Sequence, residues 1–180
     1  MKMTLVSLYL LAIVLANVVT ANLDPVFWGK LIIPAGSFLI GATFILRDLV
    51  QRAIGRARTY IAIGIAMALS AASSYALGDT LWITAASTIT FLCSETADTE
   101  IYTRLRLPLF LRVFYSGIVG GVIDSAIFVV IGMSPIGAGF LPWALVGYAI
   151  AGQIVVKVGM QGIGALGVHI AAGARSALKA

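Results

Sequence analysis

Four charged side chains stand inside stretches that are otherwise apolar: Glu95, Asp98, Asp124 and Lys157. At the centre of a membrane helix each costs about 2.5–3.5 kcal/mol on insertion scales, and such residues generally face a bundle interior and mark a pathway or a site. Glu95 and Asp98 are three residues apart and share one helix face. Glu95 and Lys157 each lie about 14 residues, or about 21 Å, beyond the start of their apolar stretches at Leu81 and Trp143, so they stand at a similar depth. Asp124 falls near the middle of its own stretch. One layer can therefore hold two or three carboxylates and one ammonium. A single buried pair would serve packing alone. The surplus acids are free to accept hydrogen bonds from a polar solute or to carry a proton.

Gln153 and Gln161 each lie four residues from Lys157. Steps of four rotate by only about 40° around a helix, so the three form one polar stripe. Gly159, Gly162 and Gly164 beside it permit close backbone approach or a wet cavity. Asn17 completes a polar cavity in this reading, while Asn22 serves as well to finish its helix. His169 has no evident partner and reads as a group near the headgroups. The sequence contains no HExxH, GxSxG or GxxxxGK[ST] pattern. With one histidine and one cysteine it offers no His/Cys metal set and no disulfide, so no catalytic residue, metal or cofactor is expected.

The elements that position these residues follow from composition. Of 180 residues, 61% are hydrophobic and 11% charged, and the mean hydropathy is +1.05. Soluble domains carry about 25% charged residues, so this chain cannot cover a globular surface with solvated groups. The fold class expected is an all-α membrane protein whose outer surface lipid solvates. Six apolar segments are each long enough to span a bilayer: Thr4 to Leu23, Leu31 to Val50, Tyr60 to Leu77, Leu81 to Tyr102, Val113 to Met133, and Trp143 to Ile170. Asp24-Pro25, Gly29-Lys30, Gly55, Gly78-Asp79, Pro108 and the Pro135 to Pro142 stretch punctuate them. The connections are short, so residues 1–180 read as one domain, a six-transmembrane-helix bundle. The first segment reads as a span rather than a signal peptide, since no small-x-small cleavage site closes it.

Basic residues set the orientation. Lys2, Arg47, Arg52, Arg56, Arg58, Arg104, Arg106, Arg112, Arg175 and Lys179 fall on one side of a six-helix weave, and Lys30 on the other. Lys157 alone is left inside a helix. The positive-inside rule places both termini in the cytoplasm. It also accounts for the net charge of +5 without a nucleic-acid partner. Trp28, Trp82 and Trp143 fall at the outer ends, as interfacial anchors do. Phe27 and Trp28 lie in a loop that could fold back over a cavity. Asp48 is expected to lock onto an arginine of the following loop. Ala12, Ala16 and Thr20 form a small-residue face for packing within the bundle or for docking another subunit.

Three stretches resemble the queuosine precursor transporter family, also called the vitamin uptake transporter family: TFILRDLVQRAIGR from Thr43 to Arg56, SETADTEIYTRLR from Ser94 to Arg106, and RVFYSGIVGGVIDSAIFVVIG from Arg112 to Gly132. The resemblance implies a bacterial-type inner-membrane importer of 7-cyano-7-deazaguanine or 7-aminomethyl-7-deazaguanine. It also implies a fold similar to the substrate-binding subunits of energy-coupling-factor transporters. The chemistry of the residues is compatible. A guanine-like edge presents N–H donors that Glu95, Asp98 or Asp124 can accept. Gln153, Gln161 or Lys157 can contact its carbonyl, and Phe91, Phe128 or Trp82 can stack on the ring at about 1–3 kcal/mol per base. The expected site is a polar cavity between the fourth, fifth and sixth helices. Movement through it is secondary, with proton coupling through a buried carboxylate. The alternatives are a subunit docked to an ATP-driven energy-coupling module through Ala12 and Ala16, and a non-transporting membrane assembly protein. Self-association into a homo-oligomer is left open.

Overall fold

The computed structural model describes the backbone of residues 2–177 and the side chains of residues 2–171. Lys179 and the side chain of Arg175 lie outside the described residues. Six long helices carry the fold: α1 (Lys2–Asn22), α2 (Ser37–Ile54), α3 (Arg56–Ala76), α4 (Leu81–Arg104), α5 (Leu109–Ile127) and α6 (Trp143–Ala177). A hairpin of β1 (Val26–Trp28) and β2 (Leu31–Ile33) joins α1 to α2, and α5 runs on as a π-helical segment, Phe128–Met133.

Local chemistry explains the boundaries. Gly55 alone separates α2 from α3, at φ +85°, a conformation that a side chain would strain. Gly78 turns the chain at φ +91°, and the Thr80 hydroxyl then caps α4 by accepting from the Ile83 N–H at 3.3 Å. Pro108 stands immediately before α5, where its missing N–H costs nothing. The second apolar segment was expected to be helical from Leu31. Instead Leu31–Ile33 pairs antiparallel with Val26–Trp28, and the helix begins at Ser37. Pro34 supplies the reason, since it biases the preceding residue away from helical geometry. In the hairpin Val26, Phe27 and Trp28 are all exposed. They do not fold back over a cavity.

Successive helices run antiparallel through short turns. α1, α3, α5 with its extension to Met133, and α6 are each long and apolar enough to cross a membrane. α2 and α4 are not so by composition, because Arg47, Asp48 and Arg52 interrupt the one and Glu95, Asp98, Glu100 and Arg104 the other. Most of that charge is turned inward, and large apolar side chains such as Leu11, Ile61, Leu92 and Ile163 face outward. That inside-out distribution is what lipid, not water, stabilises.

Arg52, Arg56, Arg58, Arg104 and Arg106 are exposed and mark one end of the bundle, the basic end. The hairpin, Lys30 and the Gly78 turn mark the other. One apolar cluster, with Tyr9, Ile13, Val50, Ile63 and Phe91, packs α1 to α4. Another, with Ile32, Val129, Leu141 and Val146, seats the hairpin and the π-helical segment on α6. Glycines bring α5 close to its neighbours. A Cβ on Gly120 would meet Asp98 and Phe44 at 3.0 Å, and one on Gly121 would meet Lys157 at 3.3 Å. Ala12 and Ala16 are buried within the bundle, and the Ala16 carbonyl lies under Gly36. They pack the chain against itself.

Candidate functional site

All six helices line one cavity at the hairpin half of the bundle. α1 contributes Ala16, Asn17 and Thr20, α2 Ser37 and Ile40, and α3 Ser70. α4 adds Ile83, Ser87, Thr90 and Phe91, α5 Asp124, the π-helical segment Phe128, and α6 Gln153 and Lys157. Pro34, Gly36 and Asp79, beside the turns, also line it. The expected cavity between α4, α5 and α6 is thus wider in origin: α1, α2 and α3 complete it. The π-helical turn places Phe128 on this wall, and such turns recur at functional sites.

Lys157 and Asp124 form the floor. The ammonium is buried and pairs with Asp124 Oδ2, and it also donates to Gln153 Oε1 at 2.9 Å and Ser125 Oγ at 3.1 Å. Its three donors are therefore all used. Asp124 keeps 13% side-chain exposure, so its carboxylate still faces the void. Because Gln153 turns its oxygen to the ammonium, its amide nitrogen points elsewhere. That nitrogen is buried and has no hydrogen-bond partner, in a residue that lines the cavity. The Thr90 hydroxyl is buried and unpartnered in the same wall. Leaving such groups unpaired costs about 1–3 kcal/mol each. Asn17 spans to α3, donating to Ser73 Oγ at 2.7 Å and to the Ser70 carbonyl at 3.0 Å.

Glu95 and Asp98 do not line this cavity. They belong to a second polar cluster, displaced toward the basic end and centred on Arg47. The guanidinium pairs with Asp48 at 2.9 Å, with Glu95 at 3.3 Å and with Asp98. It also donates to Gln51 Oε1 at 2.9 Å and to Thr99 Oγ1 at 3.3 Å. Ser116 reaches Asp48 from α5 at 3.3 Å. Every charged member is essentially inaccessible to solvent. Three expectations are corrected here. Arg47 is not part of the basic loop, and Lys157 is not the only cation inside a helix. Asp48 locks onto its own neighbour Arg47, not onto a loop arginine. The carboxylate layer is split, with Lys157 neutralising Asp124 and Arg47 gathering Asp48, Glu95 and Asp98.

Gln161 is also outside the cavity. It donates to the Gly41 carbonyl at 2.9 Å and lies against Gly117, so it pins α6 to α2 and α5. Of the residues expected to bind substrate, Asn17, Phe91, Asp124, Phe128, Gln153 and Lys157 meet at the cavity. Glu95, Asp98 and Gln161 do not. Trp82, 54% exposed, stays on the outer surface. His169 is exposed and meets Phe110 edge-on at 4.7 Å between ring centres. Glu100 pairs with Arg56 and accepts from the Tyr60 hydroxyl at 2.6 Å, which ties α3 to α4 at the basic end. The small hydroxyls Ser37, Ser70, Ser87 and Thr90 were missed, since such residues ordinarily serve helix packing.

Four helices apolar enough to cross a membrane, packed around a partly polar void, fit a membrane protein. Residues 65–170 match the family model described as "Putative vitamin uptake transporter". The match covers more than half of the chain and takes in most of α3 and all of α4 and α5, and the chain belongs to that family. It includes Glu95, Asp98, Asp124, Gln153 and Lys157 but leaves Asn17, Arg47 and Asp48 outside. No curated protein matches the chain, and no solved structure matches it.

Proposed function

We propose that this protein imports a deazapurine queuosine precursor, 7-cyano-7-deazaguanine or its aminomethyl relative, across a bacterial inner membrane. In this reading α1 to α6 all span, forming one domain with both termini in the cytoplasm. α2 and α4 are tolerated as spans because their charges are paired inside. The cavity then opens outward, and the Arg47 cluster lies between it and the cytoplasm.

The observation that carries the reading is that one cavity brings together a partly exposed carboxylate, an amide side chain and two aromatic rings. Asp124 offers acceptor oxygens to the ring N–H and exocyclic NH₂ of a guanine-like edge. The Gln153 amide offers the donor for its carbonyl. Phe91 and Phe128 offer aromatic faces to the ring. A solute that engages Asp124 competes with Lys157, which keeps Gln153 Oε1 and Ser125 as partners. Substrate entry can therefore loosen the floor without stranding the ammonium. Asn17, whose donors are held by Ser70 and Ser73, shapes the wall and keeps α1 fixed to α3.

Cells that lack their own importer, supplied with labelled 7-cyano-7-deazaguanine, are expected to accumulate it when this chain is expressed. Accumulation without any added ATPase subunit supports secondary import. No accumulation unless an energy-coupling module is supplied would replace this reading with that of a docked subunit. Indifference of uptake to the chain in both settings would remove the importer reading. Topology is tested separately. Reversing Arg52, Arg56 and Arg58 to glutamate is expected to invert or scramble the signals of reporter fusions at the α2–α3 turn. An unchanged pattern would contradict the assigned orientation.

A further inference from the structure

The Arg47 cluster contains more negative charge than its cation can balance, and it is closed to bulk solvent. One guanidinium faces Asp48, Glu95 and Asp98. Full ionisation would leave a surplus of two negative charges, one cation against three carboxylates, and Lys157 cannot supply the deficit because it is spent on Asp124. The guanidinium nitrogens already reach oxygens of five side chains, those three acids together with Gln51 and Thr99. Arginine has five N–H donors and nothing further to offer. Asp98 Oδ1 is buried with neither an ion-pair nor a hydrogen-bond partner, and the Tyr9 hydroxyl is buried beside Glu95 without completing a hydrogen bond.

α1 presents Tyr9. α2 presents Arg47, Asp48 and Gln51. α4 presents Glu95, Asp98, Thr99 and, nearer the basic end, Tyr102 with Arg112 of α5 over its ring at 4.1 Å. α5 presents Ser116 and, toward the cavity, Asp124. α6 presents Lys157. α3 turns Arg56 and Tyr60 to Glu100 instead. Arg112 is held on the Tyr102 carbonyl and ring, the exposed Arg52 lies in solvent at the basic end, and neither makes an ion pair with a carboxylate of the cluster. Uncompensated charge buried away from water is strongly unfavourable, and a titratable group relieves it by taking up a proton. A metal cation would need the space the guanidinium fills, whereas a proton needs none.

We propose that Asp48, Glu95, Asp98 and Arg47 together form a proton-binding site, and that this proton is the one exchanged during transport. The inference rests on the importer reading for its second half only. The step is simple in balance: a carboxylate of the cluster takes a proton from the cavity side to become a carboxylic acid, and later releases it toward the basic end. The proton belongs to the coupled cluster and not to one member. The placement suits coupling, because the cluster separates the cavity from the Gln51, Thr99 and Thr103 groups that continue the polar path toward the basic end.

Two measurements test this. Infrared spectroscopy of the purified wild-type chain at neutral pH is expected to show the C=O stretch of a protonated, buried carboxylic acid, weakened or shifted in Asp98→Asn and Glu95→Gln. This readout needs no substrate and stands whether or not the chain is an importer. Absence of the band in the wild type would overturn the proposal even if both variants failed to fold. In proteoliposomes, an inward proton gradient is expected to raise initial uptake of labelled 7-cyano-7-deazaguanine about tenfold. Asp98→Asn, or Glu95→Gln should the first not fold, is expected to keep solute counterflow and lose the response to the gradient. Counterflow with no effect of the gradient in the wild type, or uptake driven by sodium instead, would overturn the coupling role. Loss of counterflow in the wild type would count against import itself, leaving the infrared result to decide the proton site.

Discussion

Asp124→Asn is expected to cut initial solute uptake by about 10- to 100-fold, the equivalent of losing one hydrogen-bonded charge of about 1.5–3 kcal/mol. The amide keeps the size of the side chain and loses the second acceptor that a donor-rich ring edge requires. It also strands Lys157, which is buried and, among the described residues, draws its only counter-charge from Asp124. Breaking such a pair from one side costs about 3–5 kcal/mol, while removing both charges together costs far less. Some loss of folded protein is therefore expected in Asp124→Asn, and the double variant Asp124→Asn with Lys157→Gln should recover accumulation. It should not recover uptake. Quantifying uptake per folded molecule in both variants separates the two effects. Normal uptake by Asp124→Asn would reject a substrate role for the carboxylate.

Arg47→Met should have the largest effect on the fold itself. Three buried carboxylates would lose their shared cation, and the penalty for one such loss is about 3–5 kcal/mol. Marginal stability is of the same order, so the variant should scarcely accumulate as a monodisperse species in detergent. Arg47→Lys keeps the charge but not the fork, and one ammonium cannot reach five oxygens. It should fall between the two, with a lowered melting temperature and detectable folded protein. Melting and accumulation of Arg47→Met equal to wild type would show that the cluster contributes nothing to the fold.

The helices were legible because punctuation and apolar length act locally. Gly55, Gly78 and Pro108 end or begin elements through their own backbone restrictions, which need no tertiary context. The Leu31–Ile33 strand was not foreseen, although Pro34 carried the signal. The depth argument matched Lys157 to Glu95 and set Asp124 near the middle of its own stretch, whereas Lys157 pairs with Asp124 and Glu95 with Arg47. Pairing across helices was harder. Lys157 could have met any of the three deep acids, and only the packed arrangement selects Asp124.

Arg47 was misplaced for a definite reason. It stands five residues before Arg52 and beyond that lie Arg56 and Arg58, so charge counting absorbs it into a basic loop. Its true position, seven residues before the end of α2, is roughly 10 Å inside the helix. An arginine at that depth, followed at once by Asp48 and four residues later by Gln51, carries its own partners along the helix. That pattern was readable and was passed over. Gln161 failed differently. The four-residue stripe with Gln153 and Lys157 was correct as geometry, but a stripe does not say which neighbour each member meets, and close approach of α6 to Gly41 and Gly117 diverted this one into packing.

The most direct test is a structure of the protein with 7-cyano-7-deazaguanine bound. The solute is expected within the six-helix cavity, its N–H edge within hydrogen-bond distance of Asp124, its carbonyl on the Gln153 amide, and its ring against Phe91 or Phe128. Solute density elsewhere on the chain, with the cavity unchanged and the Asp124–Lys157 pair undisturbed, would contradict the account.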